Sequence, residues 1–492
     1  MSALQWIRCS QLHVISDLHL GGQAGSQIFD QGPTLEAFLD FLRQQPGPDI
    51  GLMINGDLVD FLAEPNAVCF DPRGAPAKLD RIFGEPNFQP VWRGLQKFVQ
   101  APQCRLFVNL GNHDLELALP WVADKLVEHL SGTDAAARGR IKLTLDGLGF
   151  RCRVGSAAVL CVHGNEVDTW NITDHERLRR SGQDVVQGRE EEGWVPNAGS
   201  AMVIDVMNDV KRRFPFVDLL KPEQEAVVPV LVALDHGVLG KLKRAFRILG
   251  RLGWDEVRRK TGFLTAESTE TRVAQESSLE SLLTKTFGQV GNPVEYRDSL
   301  LDSVERHLKD GREPVDLLDG DRQAEYLGKS GALFDWLKHK PPNEVLRTAL
   351  DALKKDRSFD VKTEDATFRD LDKWIGAEID IVIAGHTHLE RALIRGRGDG
   401  YYYNSGTWVR LIQITPEALG SAATFEPVYQ ALKAGTLTAL DAAPGLVQRK
   451  PAVVSVWQDG STTRAELRRV RLDNGVAVLD PVPDSGYARS RS

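Results

Sequence analysis

Two histidines, His386 and His388, stand one residue apart directly after the apolar run 380–385. In an extended strand, residues i and i+2 point to the same side, so these two imidazoles would face one common point just past a strand end. The pair indicates metal binding. Because His-x-His is a short motif, it can be interpreted only together with the residues at the other strand ends.

Similar side chains follow the other apolar segments. They are Asp17 and His19 in HVISDLHLGG, Asp57 and Asp60 in LMINGDLVD, Asn112, His113 and Asp114 in FVNLGNHDLE, and His163 in LCVHGNEVD. Open α/β sheets place their ligand sites outside the carboxyl ends of the strands. Glycine also stands beside several of these donors, where a close approach of the backbone is useful. The sequence therefore predicts one site assembled from five strand ends.

The donor types fit a pair of metal ions. Imidazole and carboxylate groups without thiolates suit first-row divalent cations such as Mn, Fe, Zn or Ni. A single zinc site uses three or four ligands. The candidates here are Asp17, His19, Asp57, Asn112, His163, His386 and His388. This set is too large for one ion and fits two ions that share a carboxylate, an arrangement that clamps both the attacking and the leaving oxygen in a displacement at phosphorus.

The elements that must position these residues are strands alternating with helices. Strands are predicted at 11–16, 50–55, 104–110, 157–163, 380–385 and 400–409, and helices at 34–44 and 88–100. Buried strands separated by helices indicate a layered α/β architecture. Between about 168 and 372 the apolar residues recur at i, i+3 and i+4 beside charged faces, which predicts a helical insertion. After residue 410, a helical piece precedes a β-hairpin around Asp459 and Gly460.

Composition narrows the class of protein. The chain has 492 residues, of which 42% are hydrophobic and 26% charged, with a net charge of -8. The acidic balance argues against a dedicated nucleic-acid binder. The five cysteines are scattered and odd in number, which suits a reducing compartment and excludes a thiolate zinc cluster. The sequence shows neither a signal peptide nor a membrane span, so we predict a cytoplasmic protein.

Taken in order, Asp-x-His, Gly-Asp-x-x-Asp, Gly-Asn-His-Asp, a strand-terminal His and Gly-His-x-His resemble the motifs of the calcineurin-like metallophosphoesterase superfamily. The resemblance covers about 1–170 and 375–415. It implies an α/β fold with four layers, in which two packed mixed sheets are flanked by helices. A large helical insertion interrupts that fold.

The resemblance sets the predicted domain boundaries. The catalytic core comprises 1–170 and 373–415, and the helical insertion 171–372 is a candidate lid. A C-terminal helix and β-hairpin at 416–480 are expected to pack on the core, and 481–492 to form a disordered tail.

The resemblance also implies roles for individual residues. The implied ligands are Asp17, His19 and His388 for the first ion, Asn112, His163 and His386 for the second, and Asp57 between them. The two divalent ions are expected to be manganese, with Fe, Zn or Ni as alternatives, and a bridging hydroxide would attack phosphorus in line. His113 would lie beside the scissile phosphate, where it neutralises charge or protonates the leaving oxygen. Asp60 would orient the His113 ring.

Further polar residues have predicted places around this site. Asp114 is expected behind the ligands, and Asn165, Asp168 and Trp170 are candidate substrate contacts. His175 is a candidate neighbour of the site. His13 lies in the middle of a predicted strand, one register off the site, and is expected to be structural.

The substrate is less defined than the reaction. ISDLHLGG is similar to UDP-2,3-diacylglucosamine hydrolases, a family of pyrophosphatases, but these enzymes usually show Arg at the position of His113 and a much shorter segment before Gly-His-x-His. A nuclease is the other alternative, disfavoured by the acidic balance and by the lack of a stacking platform. A scaffold with a decayed site is disfavoured because every expected ligand is present. The expected substrate is a phosphorylated small molecule or a nucleotide, carrying a phosphomono- or phosphodiester.

Residues 240–260 form a basic amphipathic segment. Such a segment can lie on an anionic membrane surface or bind polyanions. The favoured interpretation is a helix whose apolar face packs inside the insertion while its charges stay solvated. The sequence points to no particular protein partner.

Overall fold

The computed structural model describes residues 6–168, 170–190, 194–222, 226–227, 230–231, 234 and 341–490. It contains two compact units, each described by itself below. The first comprises the described residues of Met1–Ser200, Arg357–Arg410 and Arg449–Ser492, and the second those of Ala201–Asp356 and Leu411–Gln448.

Seventeen strands lie in the described part of the chain. They are β1 Ile7–Cys9, β2 Gln11–Ile15, β3 Ile50–Asn55, β4 Cys104–Asn109, β5 Ile141–Thr144, β6 Phe150–Val154, β7 Ala157–Cys161, β8 Leu220–Lys221, β9 Ile381–Ala384, β10 Arg391–Ile394, β11 Tyr401–Asn404, β12 Leu411–Gln413, β13 Val447–Gln448, β14 Ala452–Asp459, β15 Thr462–Asp473, β16 Val476–Pro481 and β17 Tyr487–Ser490.

The α-helices within the described ranges vary from single turns to thirteen residues. They are α1 Gly32–Arg43, α2 Ala75–Gly84, α3 Gln89–Gln100, α4 Pro120–Ser131, α5 Ala135–Gly139, α6 His175–Val186, α7 Ala198–Met202, α8 Asn208–Lys211, α9 Pro342–Ala349, α10 Ala366–Trp374, α11 Ala422–Ala434 and α12 Leu437–Ala442. Among the described residues, none of the helices combines the length and the apolar character that crossing a bilayer requires.

The larger sheet of the first unit has the strand order β16–β15–β14–β2–β3–β4–β5, with β17 paired to β15. Strands β2 to β5 are parallel to one another, and β14 joins β2 in antiparallel fashion. β3 has the sequence IGLMIN and every residue in it is buried. A continuous apolar run of this kind is typical of a central parallel strand that is covered on both faces.

The smaller sheet has the order β1–β6–β7–β9–β11–β10. β7, β9 and β11 run parallel, whereas β6 and β10 are antiparallel to their neighbours β7 and β11. The two sheets pack face to face, and their shared core contains Val14, Met53 and Phe107 from the larger sheet with Val159 and Ile383 from the smaller one.

Helices cover the outer faces. Phe368 and Leu371 of α10 pack on Val382 and Tyr402 of the smaller sheet. On the other side α1 contacts α3, and α3 contacts β4. The predicted fold of two packed mixed sheets flanked by helices is therefore confirmed.

The second unit contains a short sheet and several helices. Its sheet has the order β13–β12–β8, and α11 contacts both α9 and α12. A capping box between Ser421 and Thr424 begins α11, and Gly435 with a φ of 68° ends it. Most of the predicted insertion 171–372, including the basic segment 240–260, lies outside the described residues.

The C-terminal part differs from the predicted boundaries. Within 416–480, α11, α12 and β13 belong to the second unit, whereas β14 to β16 extend the larger sheet of the first. The segment 481–492 was predicted as a disordered tail, but Tyr487–Ser490 forms β17 against β15. The Tyr487 ring packs 5.6 Å from that of Tyr401, and Arg489 forms an ion pair with the buried Asp380. These contacts order a segment whose composition alone favours disorder.

Candidate metal centre

The carboxyl ends of five strands deliver the predicted site residues. β2, β3 and β4 are parallel neighbours, so the residues that follow them emerge at one edge of the larger sheet: Asp17 and His19, Asp57 and Asp60, and Asn112 and His113. In the facing sheet, the parallel strands β7 and β9 lead to His163 and to His386 and His388. Ligand sites in α/β folds form at such edges.

Five of the predicted ligands have left-handed backbone conformations. The φ angles are 55° at Asp17, 46° at His19, 53° at Asp57, 69° at His386 and 63° at His388. Residues with a Cβ disfavour this region, and each such position costs about 1–3 kcal/mol, so it persists only where its surroundings impose it. Here the surroundings do impose it, because the amides of Leu18 and His19 both donate to the Asp57 carbonyl at 2.9 Å. Strain of this kind clusters at functional sites.

The first set of ligands is assembled around Asp17. Its Oδ1 lies 3.3 Å from His388 Nε2 and 3.9 Å from His19 Nε2. The two Nε2 atoms are 3.1 Å apart. Two imidazole nitrogens this close together can bind one positive charge between them, and the neighbouring Asp17 carboxylate stabilises that charge.

The second set is centred on Asp57 and His163. His163 Nε2 lies 3.2 Å from Asp57 Oδ2, while Nδ1 donates to the Asn55 carbonyl at 2.8 Å. The ring of His386 packs 5.3 Å from that of His163, and the His386 amide donates to Asp17 Oδ2 at 3.1 Å. Asp57 also lies 3.6 Å from His19 Nε2, so its carboxylate stands between the two sets.

Asp60 has two imidazole partners. Its Oδ2 lies 3.2 Å from His19 Nδ1 and 3.1 Å from His113 Nδ1. His113 was predicted to be oriented by Asp60, and the geometry fits that role. That the same carboxylate also contacts His19 was not predicted from the motifs. With a side chain 19% exposed, His113 is the more accessible ring of the two.

Charge is concentrated in this buried cluster. Burial opposes ionisation of Asp17, but its partner His388 lowers the pKa of this carboxyl to about 2. Burial opposes ionisation of Asp57 too, and the charges of His163 and His113 hold its pKa well below the usual range. In turn, Asp57 overcomes the burial of His163 and raises the pKa of its imidazole to about 10. The buried carboxylates thus favour positive charge at this position, which is the electrostatic requirement of a cation site.

Close packing beneath the ligands depends on small or amide side chains. A Cβ at Gly111 would overlap the Asp57 carboxylate. Asn55 Nδ2 donates to the Val162 carbonyl at 2.7 Å, and Asn109 Nδ2 donates to Asn55 Oδ1 at 2.7 Å. These two asparagines, which the sequence analysis missed, join the two sheets directly below the site.

The loop of the two C-terminal histidines is fixed by β11. Asn404 Nδ2 donates to the Gly385 carbonyl at 2.6 Å and to Thr387 Oγ1 at 3.1 Å. Asn404 follows three tyrosines in YYYN, and this local sequence does not indicate that the residue supports a metal site.

The residues fit a divalent metal pair. Ligand atoms lie within 4.8 Å of one another in three groups: Asp17, His19 and His388; Asp17, Asp57 and His163; and His19, Asp60 and His113. Asn112 Oδ1 is buried and has no hydrogen-bond partner among the described residues. A buried amide oxygen of this kind needs a donor or a cation. Carboxylate, imidazole and amide oxygen donors together suit first-row divalent cations.

Other candidate residues lie around the ligands. Asp114 is buried and accepts from the amides of Leu58 at 2.9 Å and Gly111 at 2.7 Å, so it supports the backbone behind the ligands. Asp168 contacts His386 Nε2 at 2.9 Å, which makes it a partner of a ligand.

The remaining candidates surround the loop after β7. Asn165 donates to the Asn171 carbonyl at 3.0 Å. His175 begins α6 and lines a polar concavity with Glu166 and Thr173. The Trp170 amide donates to Asp168 Oδ1 at 3.0 Å. The substrate contacts expected of Asn165 and Trp170 remain predictions.

Comparison with known proteins supports the same chemistry. Residues 11–241 match the family described as Calcineurin-like phosphoesterase. The matched range contains Asp17, Asp57, Asn112 and His163, whereas His386 and His388 lie beyond it and join the site through the fold. No curated protein matches the chain significantly.

Proposed function

The chain belongs to the calcineurin-like metallophosphoesterase superfamily, and from this premise we propose that it is a binuclear metal-dependent hydrolase of a phosphomono- or phosphodiester. The observation that supports the proposal most directly is the convergence of Asp17, His19 and His388 with Asp57 and His163 at strand ends of both sheets. Buried carboxylates and imidazoles in such numbers are costly unless they are paired or bind cations.

The proposal assigns each ligand to one of two ions. Asp17, His19 and His388 would bind the first ion, Asn112, His163 and His386 the second, and Asp57 would be shared. When bound, a pair of divalent cations polarises the phosphoryl oxygens and acidifies water, so that attack on phosphorus requires no nucleophilic side chain.

His113 would serve the leaving group. Its Nδ1 lies 3.1 Å from Asp60 Oδ2, and Nε2 is the ring atom proposed to face the substrate. Burial opposes ionisation of Asp60, yet the charge of His113 lowers the pKa of this carboxyl, so Asp60 stays anionic and stabilises the imidazolium. A proton at His113 Nε2 can then pass to the leaving oxygen, or its charge can offset that of the phosphate.

Several finer points belong to the same proposal. We infer a first-row divalent cation, with manganese preferred and Fe, Zn or Ni as alternatives, because the donors are oxygen and imidazole groups without a thiolate. We infer a phosphorylated small molecule or a nucleotide as the substrate. A cytoplasmic location agrees with the five scattered cysteines, none of which forms a disulfide. Ser/Thr protein phosphatase action is disfavoured, because those enzymes tend to have an Arg after the Gly-Asp motif and a Gly-Asn-His-Glu motif, whereas this chain has GDLVD and GNHD.

Hydrolysis of p-nitrophenyl phosphate and bis-p-nitrophenyl phosphate with Mn²⁺ tests this function. We expect turnover of at least one ester by the wild-type chain. Asp57→Asn should reduce kcat by about a thousandfold or more, since it removes the shared charge. His113→Ala should reduce kcat by about 10²–10⁴-fold, the usual contribution of general acid catalysis. Full activity of Asp57→Asn would refute the binuclear mechanism.

A further inference from the structure

The ring of His386 is fixed through its outer nitrogen. Nε2 lies 2.9 Å from Asp168 Oδ2, and Asp168 is itself held by two donors. The Trp170 amide donates to Oδ1 at 3.0 Å, and Asn171 Nδ2 donates to Oδ2 at 2.7 Å. These two hydrogen bonds fix the position of the Asp168 carboxylate independently of its contact with the imidazole.

This contact decides which nitrogen of His386 can bind a metal. A carboxylate opposite Nε2 favours the tautomer with its proton on that atom. The lone pair then lies on Nδ1, which is the atom left for a cation. Carboxylate–histidine–metal arrangements of this kind fix the ring and raise the basicity of the ligand nitrogen.

Asn171 connects the same loop to a second ligand. Because its Nδ2 donates to Asp168, its Oδ1 is the atom that faces Asn112 Nδ2, at 3.5 Å. This distance is at the outer limit of a hydrogen bond, so this arm is weaker than the contact with His386. It nonetheless selects the amide orientation of Asn112. The Oδ1 atom of Asn112 is then left for a cation, since it is buried and has no hydrogen-bond partner among the described residues.

Both supported residues are assigned to the same ion. His386 and Asn112 belong to the second set of ligands, whereas His19 of the first set is oriented by a different carboxylate, Asp60. The loop after β7 therefore acts on one of the two sites.

We propose that Asp168 and Asn171 are positioning residues that orient His386 and Asn112 for the second metal ion and leave the first site unaffected. This inference rests on the proposed binuclear function. Removal of an outer-shell partner of a metal ligand typically weakens metal binding by about 10–100-fold. The short Asp168 contact should give the larger effect, and the long Asn171 contact the smaller.

Calorimetric titration of the metal-free full-length chain with Mn²⁺ tests the proposal. The variants are Asp168→Ala and Asn171→Ala, with Asp174→Ala as a matched control. Asp174 is an exposed aspartate that caps α6 by accepting from the Arg177 amide. We expect two sites in the wild type and in Asp174→Ala. Asp168→Ala should weaken one site by about 10–100-fold and leave the other unchanged, and Asn171→Ala should weaken the same site less.

Activity provides a second readout. If Asp168 positions a metal ligand, the loss of activity in Asp168→Ala should be recovered by raising the Mn²⁺ concentration, which a structural defect would not allow. If Asp168→Ala does not fold, Asp168→Asn retains the side-chain volume and should show a smaller loss confined to one site.

The possible failures are distinguishable. Two sites of wild-type affinity in Asp168→Ala, or equal weakening of both sites, would overturn the positioning role. A wild-type chain that binds fewer than two Mn²⁺ ions would instead overturn the proposed function.

Discussion

At the residue scale, three histidines of the site are each oriented by a polar contact at one ring nitrogen. His19 Nδ1 faces Asp60, His163 Nδ1 faces the Asn55 carbonyl, and His386 Nε2 faces Asp168. The opposite nitrogen of each ring remains as the donor to a metal. Together with the left-handed backbone, these partners support the proposed role of these residues as metal ligands more specifically than residue type does.

His13 gives a contrasting case and a prediction about pH. It is buried between Ser455 Oγ at 3.0 Å and Gln11 Oε1 at 3.3 Å. Burial and the charge of Arg468 lower the pKa of its imidazole from 6.5 to about 3. The folded chain therefore binds fewer protons here than the unfolded chain, so stability falls as the pH drops below the unfolded pKa near 6.5. The loss continues until the folded pKa is reached.

We expect His13→Gln to remove this dependence. The amide can retain both hydrogen bonds but does not titrate. Between about pH 7 and pH 4.5, the free energy of unfolding of the wild type should fall by about 2 kcal/mol more than that of the variant. Urea denaturation at several pH values measures the difference. Parallel pH profiles for the two proteins would contradict the prediction, because they would show that the pKa of His13 is the same in the folded and unfolded chains.

At the element scale, the site depends on turns that directly follow parallel strands. The turn after β4 approaches that after β3 so closely that position 111 accommodates only glycine, because a Cβ there would overlap the Asp57 side chain and its backbone amide. The same approach lets the His113 amide donate to Asp57 Oδ1 at 2.9 Å. The spacing between neighbouring turns thus sets the position of the shared carboxylate.

Gly111→Ala should therefore displace Asp57. We expect metal affinity and activity to fall by at least about tenfold, with a loss of stability of about 1–3 kcal/mol from overpacking. Gly84→Ala is a suitable control, since nothing lies within 4 Å of a Cβ at that position in α2. Mn²⁺ titration and thermal unfolding of both variants measure the effects. Wild-type metal binding by Gly111→Ala would show that the turn can relax.

At the scale of the whole molecule, the order of the motifs predicted the layered fold and the gathering of the ligands. Asp17 and His388 are distant in sequence, yet strand-end position and residue type were sufficient to place them together. The role of Asp168 was not predictable in this way. It lies in a loop, and only the folded position of that loop shows that it contacts His386.

The C-terminal strands could not be placed from the sequence for a related reason. β14 pairs with β2 through Val454 opposite Val14, and a pairing between such distant segments leaves no local signal. The hairpin itself was predicted around Asp459 and Gly460, because turn chemistry is local. Disorder was predicted for Tyr487–Ser490 for the same reason. This segment is ordered by contacts with Tyr401 and Asp380, which lie far away in the chain.

The most direct test of the central claim is an anomalous difference map from crystals of the wild-type chain grown with Mn²⁺. We predict two peaks about 3.5–4 Å apart, both adjacent to the Asp57 carboxylate. One peak should contact Asp17, His19 and His388, and the other Asn112, His163 and His386. A single peak, or two peaks that do not share Asp57, would contradict the binuclear centre.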